Sequence, residues 1–535
     1  MEEKYIISID QSTQGTKALL FDAEGHLLRR TDVPHRQIVN EKGWVSHDPE
    51  EIYRNTIRVV KDLVEESGID HSLVQGIGIS NQRETTLIWD KETNKPIADA
   101  IVWQCSRATE ICERPEIKNA AKMIREKTGL PLSPYFPAAK MAWLLENFQW
   151  EESQRGQEPV ALKSQKCQEL MAQHQLCFGT IDTWLVYRLT KGHDYKTDYS
   201  NASRTQLFNI FTLKWDEEIC KLFGICPEDL PQVCDSDSEF GWTDFEGLFE
   251  KPIPIHAVLG DSHGALFGQG CLRKGDIKAT YGTGSSIMMN IGEAPVVSTH
   301  GVVTSLAWGM NGKVNYVLEG NINYTGAVIS WLKDDVRLID SPGETESLCR
   351  EAISDDELYF VPAFTGLGAP HWKSNAKASL SGITRTTGKA EIIRAGIECI
   401  AYQITDVVRA MEADAGVKVK EFRVDGGPTK NGYLMQFQSD ILGGNVLVPD
   451  AEELSGIGVA YAAGIAMGIY TMDLFKLMKR KTYSKKMDEN LREKKYIGWS
   501  KAVGNLVLES SVLYWVPVEP FGDVVLWLFA LQKSH

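Results

Sequence analysis

Two short segments, about half a chain apart, share the pattern of a strand, a polar turn and a returning strand. The first covers residues 5–22, with hydroxyl, amide and glycine residues at its turn, 10–16. The second covers residues 276–290, with glycine and hydroxyl residues at its tip, 281–285. Each pattern predicts a β-hairpin whose tip can surround phosphate oxygens with backbone N–H groups. The repetition indicates an internal duplication, with one such turn in each half and a cleft between the halves.

A candidate functional carboxylate follows a predicted buried strand. The apolar run at residues 255–259 ends abruptly on Gly260-Asp261. A strand that ends in this way presents the carboxylate among the loops where sites form. Small residues follow at Gly264 and Gly268, so we expect the next helix to pack closely against a neighbour.

Two other strand ends carry patterns that suit a ligand. Arg83-Glu84 follows the predicted strand 74–80, and a fork of donors beside an acceptor suits a polyhydroxy compound. The alternative interpretation of that dipeptide is an ordinary surface ion pair. Gly426-Gly427 follows another short strand, and such a turn lets the backbone approach a flat or anionic ligand without an intervening Cβ.

The composition limits the class of protein. A chain of 535 residues is too long for one core and is expected to form two to four domains. Strand and helix patterns alternate in both halves, which predicts the α/β class. A net charge of −15 argues against nucleic acid or an anionic membrane as the main partner. No apolar run reaches the roughly 18–20 residues of a membrane helix.

The cysteines and the N-terminal residues predict a location. The ten cysteines are scattered, without a Cys-x-x-Cys pair, and the N-terminal residues lead directly into a strand. We therefore expect a cytoplasmic protein without a targeting segment.

Residues 501–535 are largely apolar and aromatic, and the sequence predicts no role for them.

Motifs along the chain occur in the order that one family has. They stand at residues 10–13, 43–49, 81–85, 178–184, 201–205, 280–284, 318–320, 361–364 and 424–427. In these motifs the chain, over about residues 5–500, resembles the FGGY carbohydrate kinases, and within them the glycerol kinases. The resemblance implies two ribonuclease H-like domains of the actin and hexokinase type with an interdomain cleft. Residues 1–254 would bind the sugar or polyol, residues 255–500 the nucleotide, and 501–535 would be a tail.

The same resemblance implies roles for individual residues. Asp261 would be the general base, in a transfer from ATP to a terminal hydroxyl of a small polyol. The residues implied to bind the polyol are Arg83, Glu84, Trp103, Tyr135, Asp261 and Ser262. Those implied to bind ATP are Thr13, Gln14, Thr283, Gly326, Gly427 and Asn431, and Asp10 would hold Mg²⁺. The small-molecule partners would be ATP and the polyol, and a homo-oligomer, dimeric or tetrameric, stays open.

Several positions depart from the glycerol kinase pattern. Ser262 and Ser330 stand where glutamine is usual, and Ser286 stands where phenylalanine is usual. These departures predict a roomier and more polar pocket, so a four- or five-carbon polyol or ketose is an alternative to glycerol. An actin-like ATPase and a sugar sensor without catalysis are further alternatives. The Arg83-Glu84 pattern argues against the first, and the aspartates at 10 and 261 argue against the second.

Overall fold

Two large mixed β-sheets form the framework of the protein. The computed structural model describes residues 3–147, 169–353 and 357–509. The strands of the first sheet are, in spatial order, Gly241–Thr243, Ile253–Gly260, Val74–Asn81, Tyr5–Gln11, Gly15–Phe21 and Leu27–Pro34. Those of the second are Val303–Met310, Lys313–Ile322, Ser285–Gly292, Ile277–Tyr281, Glu421–Asp425, Asn445–Pro449 and Arg480–Tyr483.

The two sheets repeat one topology around their hairpins. In the first, Tyr5–Gln11 pairs antiparallel with its hairpin partner and parallel with Val74–Asn81. In the second, Ile277–Tyr281 pairs antiparallel with Ser285–Gly292 and parallel with Glu421–Asp425. Both predicted hairpins and the α/β class are confirmed. The repeated strand order is what a duplicated unit produces.

A smaller sheet and the helices surround this framework. The smaller sheet orders Leu176–Thr180, Thr86–Asp90, Ala100–Ile101, Val45–His47 and Ile38–Val39, with Lys95–Pro96 beside Thr86–Asp90. The described α-helices are Pro49–Ser67, Thr109–Cys112, Pro115–Asn119, Ala121–Thr128, Pro137–Glu146, Ile181–Leu189, Tyr199–Ala202, Glu217–Leu222, Asp261–Gly268, Gly326–Ser330, Thr345–Glu351, Lys389–Ala415, Gly432–Leu442, Leu454–Ala466 and Glu489–Glu509.

Glycine contacts hold the helix that begins at Asp261. A Cβ on Gly458 would lie 1.9 Å from the carbonyl oxygen of Gly264, and one on Gly268 would lie 2.4 Å from that of Leu454. Side chains at these positions would separate the helices Asp261–Gly268 and Leu454–Ala466. The close packing predicted from the small residues is confirmed, and it fixes the position of Asp261 against an element that enters from late in the chain.

The predicted domain limits fall inside regular elements. The strand Ile253–Gly260 runs parallel to Val74–Asn81 in the first sheet, so a boundary after residue 254 cuts that strand. The first sheet therefore continues to Gly260. Likewise, the predicted tail starts within the helix Glu489–Glu509, in which Ala502 and Val503 are buried. Residues 510–535 lie outside the described part of the chain.

Within the described ranges, no helix combines the length and the apolar composition needed to cross a bilayer.

Candidate active site

The predicted site residues of the first half meet at one edge of the first sheet. Three of its strands run parallel, and their carboxyl ends are in register, with Asn81 opposite both Gln11 and Gly260. Because parallel strands bring their carboxyl ends to the same edge, Asp10, Arg83 and Asp261 converge there although they are far apart in the sequence. Strand register, rather than any local motif, assembles this part of the site.

Asp261 stands at the first position of its helix and is about one-third exposed. Its Oδ1 lies 3.2 Å from Nε of Arg83 and accepts a hydrogen bond of 2.6 Å from the backbone N–H of Ser262. The other carboxylate oxygen is not held by these two contacts. Asp261 thus combines a fixed orientation with access to solvent, as a general base requires.

Four charged side chains form a buried network behind Asp261, and they come from both halves of the chain. Arg83 donates to both carboxylate oxygens of Glu319, at 2.9 and 2.8 Å. Arg204 donates from Nε to Glu84 at 2.5 Å, and its Nη1 lies 2.9 Å from Glu319. Burial by itself would raise the pKa of Glu319, but the two arginines hold it well below the ordinary value. Glu319 is therefore ionised, and it fixes both guanidinium groups.

Glu84 adopts an unusual backbone conformation in this network. Its φ is +59°, in the left-handed region that residues other than glycine rarely occupy. Its carbonyl oxygen accepts hydrogen bonds from the Thr86 hydroxyl and from the ammonium of Lys140. Its carboxylate faces Arg204. Such strain persists where the surroundings determine the conformation, and it is common at functional sites.

Trp103 and Tyr135 form an aromatic wall next to Glu84. Their rings meet edge to face, with centroids 5.6 Å apart. The indole Nε1 of Trp103 donates to the hydroxyl of Thr13 at 2.9 Å. Burial raises the pKa of the Tyr135 phenol, so its hydroxyl stays protonated. The wall is therefore joined directly to the first polar turn.

The two predicted turns differ in how they are built. In the first, the N–H and the hydroxyl of Ser12 both donate to the carbonyl of Gly15, and Gln14 is exposed. In the second, Gly282 and Thr283 are exposed at the tip. The helix Gly326–Ser330 begins directly on that tip, since the N–H of Gly326 donates to the carbonyl of Gly282 at 2.9 Å.

The Gly-Gly turn provides an open surface. Gly426 has a φ of +97°, and a Cβ there would lie 2.1 Å from the carbonyl oxygen of Tyr281. A Cβ on Gly427 would meet no atom within 4 Å. A cavity of about 740 Å³ lies beside the turn, with Asp425, Thr429 and Lys481 among its lining residues.

Asn431, predicted to contact a nucleotide, has two partners within the protein. Its Oδ1 caps the helix Gly432–Leu442 by accepting from the N–H of Leu434 at 3.0 Å. Its Nδ2 donates to the Thr345 hydroxyl at 2.9 Å. The side chain orders the helix that follows the Gly-Gly turn, so any contact with a nucleotide would be additional to these bonds.

Asp10 has the features expected of a cation ligand. Its side chain is buried, and its Oδ1 has no hydrogen-bond partner among the described residues. Burial raises the pKa of Asp10 to about 6, and nearby Lys17 opposes this effect. Asp261 adds a second negative charge in the vicinity. Because an uncompensated buried carboxylate oxygen is costly, the arrangement fits a hard divalent cation such as Mg²⁺.

Three charged residues in or beside the site were not among the predicted site residues: Lys140, Arg204 and Glu319. Glu319 stands in an otherwise uncharged part of its strand, and Lys140 follows two alanines in a largely apolar helix. A charged residue within an apolar run is a signal that could have identified Glu319 and Lys140, whereas Arg204 stands in a polar segment, the motif at residues 201–205. Their ion-pair and carbonyl partners lie between 5 and 236 positions away, and most are distant in the sequence, so the fold reveals the pairing.

Comparison with known proteins decides the family. Residues 5–268 match the N-terminal domain, and residues 277–467 the C-terminal domain, of the FGGY family of carbohydrate kinases. The chain belongs to this family. Glycerol kinase 1 of Thermotoga maritima is 45% identical, over 94% of this chain and 100% of that protein. The glycerol kinase of Petrotoga mobilis is 44% identical, over 94% of this chain and 98% of its own length.

Solved structures agree with this assignment. The crystal structure of Plasmodium falciparum glycerol kinase with ADP has a TM-score of 0.85 and 35% identity to this FGGY kinase, covering 94% of this chain and 98% of that one. Gluconate kinase from Lactobacillus acidophilus has a TM-score of 0.83 at 22% identity, covering 95% and 99%. The second likeness concerns the fold alone. Together they confirm the two-domain architecture of the actin and hexokinase type.

Proposed function

We propose that this FGGY kinase transfers the γ-phosphoryl group of ATP to a terminal hydroxyl of glycerol. The observation that carries the proposal is that Asp261 and Thr13 each contact a residue predicted to bind the polyol. Asp261 contacts Arg83, and Thr13 contacts Trp103. A base beside Arg83 and a hydroxyl-bearing turn beside Trp103 are the two components that phosphoryl transfer must bring together.

The roles of the residues follow from these contacts. Arg83 and Glu84 orient the hydroxyl groups of the acceptor, with Trp103 and Tyr135 against its carbon chain. Asp261 accepts the proton of the attacking hydroxyl, a contribution of about 10²–10⁴ to the rate. Ser262, whose hydroxyl lies 3.3 Å from Nη2 of Arg83, adds a polar group at the edge of this pocket.

The nucleotide side uses backbone and hydroxyl groups. Thr13, Gln14 and Thr283 present the phosphate-binding turns, while Gly326, Gly427 and Asn431 border the nucleoside. Asp10 would hold Mg²⁺, which neutralises phosphate charge when bound. The glycerol kinases at 44–45% identity, and the solved glycerol kinase with ADP, support glycerol and ATP as the substrates.

A longer acceptor is a second candidate, and one observation favours it. The hydroxyl of Ser286 is buried and has no hydrogen-bond partner among the described residues. Ser286 pairs across the sheet with Asn321, whose amide donates to Glu319. A buried hydroxyl without a partner is unfavourable, so an additional substrate hydroxyl could satisfy it.

The experiment is ADP release by the purified protein with Mg-ATP, tested against glycerol and a panel of four- to six-carbon polyols and ketoses. Turnover with glycerol that is lost in Asp261→Asn supports glycerol phosphorylation. Preference for a longer acceptor, reversed towards glycerol in Ser286→Phe, supports the second candidate. Absence of turnover across the panel contradicts both and favours a sugar-binding role without catalysis.

A further inference from the structure

Lys140 lies fully buried in the helix Pro137–Glu146, next to the aromatic wall of Trp103 and Tyr135. Its ammonium donates to three backbone carbonyls: that of Glu84 at 3.2 Å, that of Trp103 at 3.3 Å, and that of Tyr135 in a shorter bond. These carbonyls belong to three segments that are separated by 19 and 32 positions in the sequence. One side chain therefore bonds to three stretches of backbone that are separate in the sequence.

The three segments are those whose side chains line the proposed polyol pocket. Of the three residues, Glu84 has the backbone conformation that most needs support, because its left-handed φ of +59° is unfavourable without contacts from its surroundings. Arg204 holds its carboxylate, and Lys140 holds its carbonyl. Loss of the ammonium would leave three buried or partly buried carbonyls with fewer donors, and the backbone at all three positions would be less constrained.

We propose that Lys140 is a positioning residue for the acceptor substrate. Its ammonium fixes the backbone at Glu84, Trp103 and Tyr135 and so sets the affinity for the polyol without touching it. The inference rests on the proposed polyol site, but the contacts that carry it do not involve any ligand.

The number of donors makes the role depend on protonation. An ammonium has three N–H groups for three carbonyls, whereas a neutral amine has two. Burial lowers the pKa of Lys140 to about 7, against the opposing effect of Glu84 and of the thiols of Cys105 and Cys112. The cation of Arg107 lowers it further, and the Tyr135 ring centroid lies 5.8 Å from the ammonium. Polyol affinity should therefore fall as the pH rises above 7.

The first test separates the kinetic constants. In Lys140→Met, with the best acceptor from the panel, we expect the polyol KM to rise about tenfold or more at pH 7. The ATP KM and kcat should change much less. Lys140→Gln keeps two N–H donors and should be intermediate. In the wild type the polyol KM should rise between pH 7 and 9, and this rise should be absent in Lys140→Met.

The matched control is Leu144→Ala, which also removes a buried side chain from the same helix, but one that has no hydrogen-bond donor for the three carbonyls. We expect it to lower the thermal midpoint without changing the polyol KM selectively. If Lys140→Met instead lowers kcat, ATP affinity and thermal midpoint together, as a merely destabilised protein would, the positioning role is wrong. If neither lysine variant folds, a wild-type polyol KM that is constant from pH 6 to 9 overturns the proposal.

Hydrogen exchange gives a readout that does not need activity. In Lys140→Met, peptides that contain residues 84, 103 and 135 should all exchange faster than in the wild type, whereas Leu144→Ala should not affect the three together. Unchanged exchange in these peptides overturns the positioning role. Inactivity of the wild type with every acceptor would contradict the proposed function alone, because the exchange result is independent of it.

Discussion

The guanidinium of Arg83 faces the carboxylate of Glu319 with two parallel hydrogen bonds, of 2.9 and 2.8 Å, across 236 positions of the sequence. Arg83 extends from the end of a first-sheet strand, and Glu319 lies within a second-sheet strand. Both side chains are buried. The pair thus connects the two halves of the protein at the point where the acceptor would bind.

Glu319→Gln should destabilise the protein by about 3–5 kcal/mol, because Arg83 and Arg204 would be left buried without their counter-charge. Urea unfolding measures the change. The control is Glu113→Gln, which removes an exposed ion pair with Lys118 and should cost less than about 1 kcal/mol. Equal effects of the two substitutions would show that the buried network does not hold the halves together.

Asp261→Asn should lower kcat by about 10²–10⁴ while the polyol KM changes little, since the amide keeps the size of the side chain but accepts no proton. Steady-state kinetics with the preferred acceptor provide the measurement. Ser262→Ala, one position further along the helix, should affect KM rather than kcat. A kcat of Asp261→Asn close to the wild-type value would exclude Asp261 as the base.

The two adjacent glycines at 426 and 427 should respond differently to alanine. Gly426→Ala places a Cβ 2.1 Å from a carbonyl oxygen at a positive φ, so we expect a large loss of stability. Gly427→Ala meets no protein atom, so the fold should be kept, while the methyl group enters the proposed nucleotide site. We expect the ATP KM to rise about tenfold. An unchanged ATP KM would show that the nucleotide does not bind next to Gly427.

The buried His47 should make the protein sensitive to acid. Burial, with the nearby His35 ring, lowers the pKa of His47 to about 3, against about 6.5 in the unfolded chain. Below pH 6.5 the unfolded state binds a proton that the folded state does not, so stability present above pH 6.5 is lost as the pH falls towards 3, by up to about 1.4 kcal/mol per pH unit.

The measurement for His47 is chemical denaturation between pH 7 and 4. In His47→Gln, whose amide oxygen can still accept from Gln82, stability should fall less steeply with pH than in the wild type. A substitution of the exposed His193 to glutamine serves as the control and should keep the wild-type slope. If the slope of His47→Gln is unchanged, this histidine does not contribute to the acid sensitivity.

The residues around the hairpins show what the sequence could and could not predict. Alternating apolar residues and a glycine-rich tip predict a hairpin locally, so both hairpins, the helix after Asp261 and its close packing were predictable. The family motif at residues 81–85 located Arg83 and Glu84, and the Gly-Asp step after a predicted strand located Asp261. The domain limits at 254 and 500 stay predictions. Composition does not reveal that residues 253–260 pair with the strand Val74–Asn81 or that the last helix continues to Glu509.

The sequence by itself determined the local elements, the duplicated topology and the family, because each depends on neighbouring residues or on motif order. Only the tertiary structure decided the partners of Glu319 and Lys140. Their contacts join segments between 5 and 236 positions apart, and the energy of a buried charge depends on which groups surround it in space. A lysine within an apolar helix marks Lys140 as unusual in the sequence, but only the three carbonyls around it in the fold indicate a role.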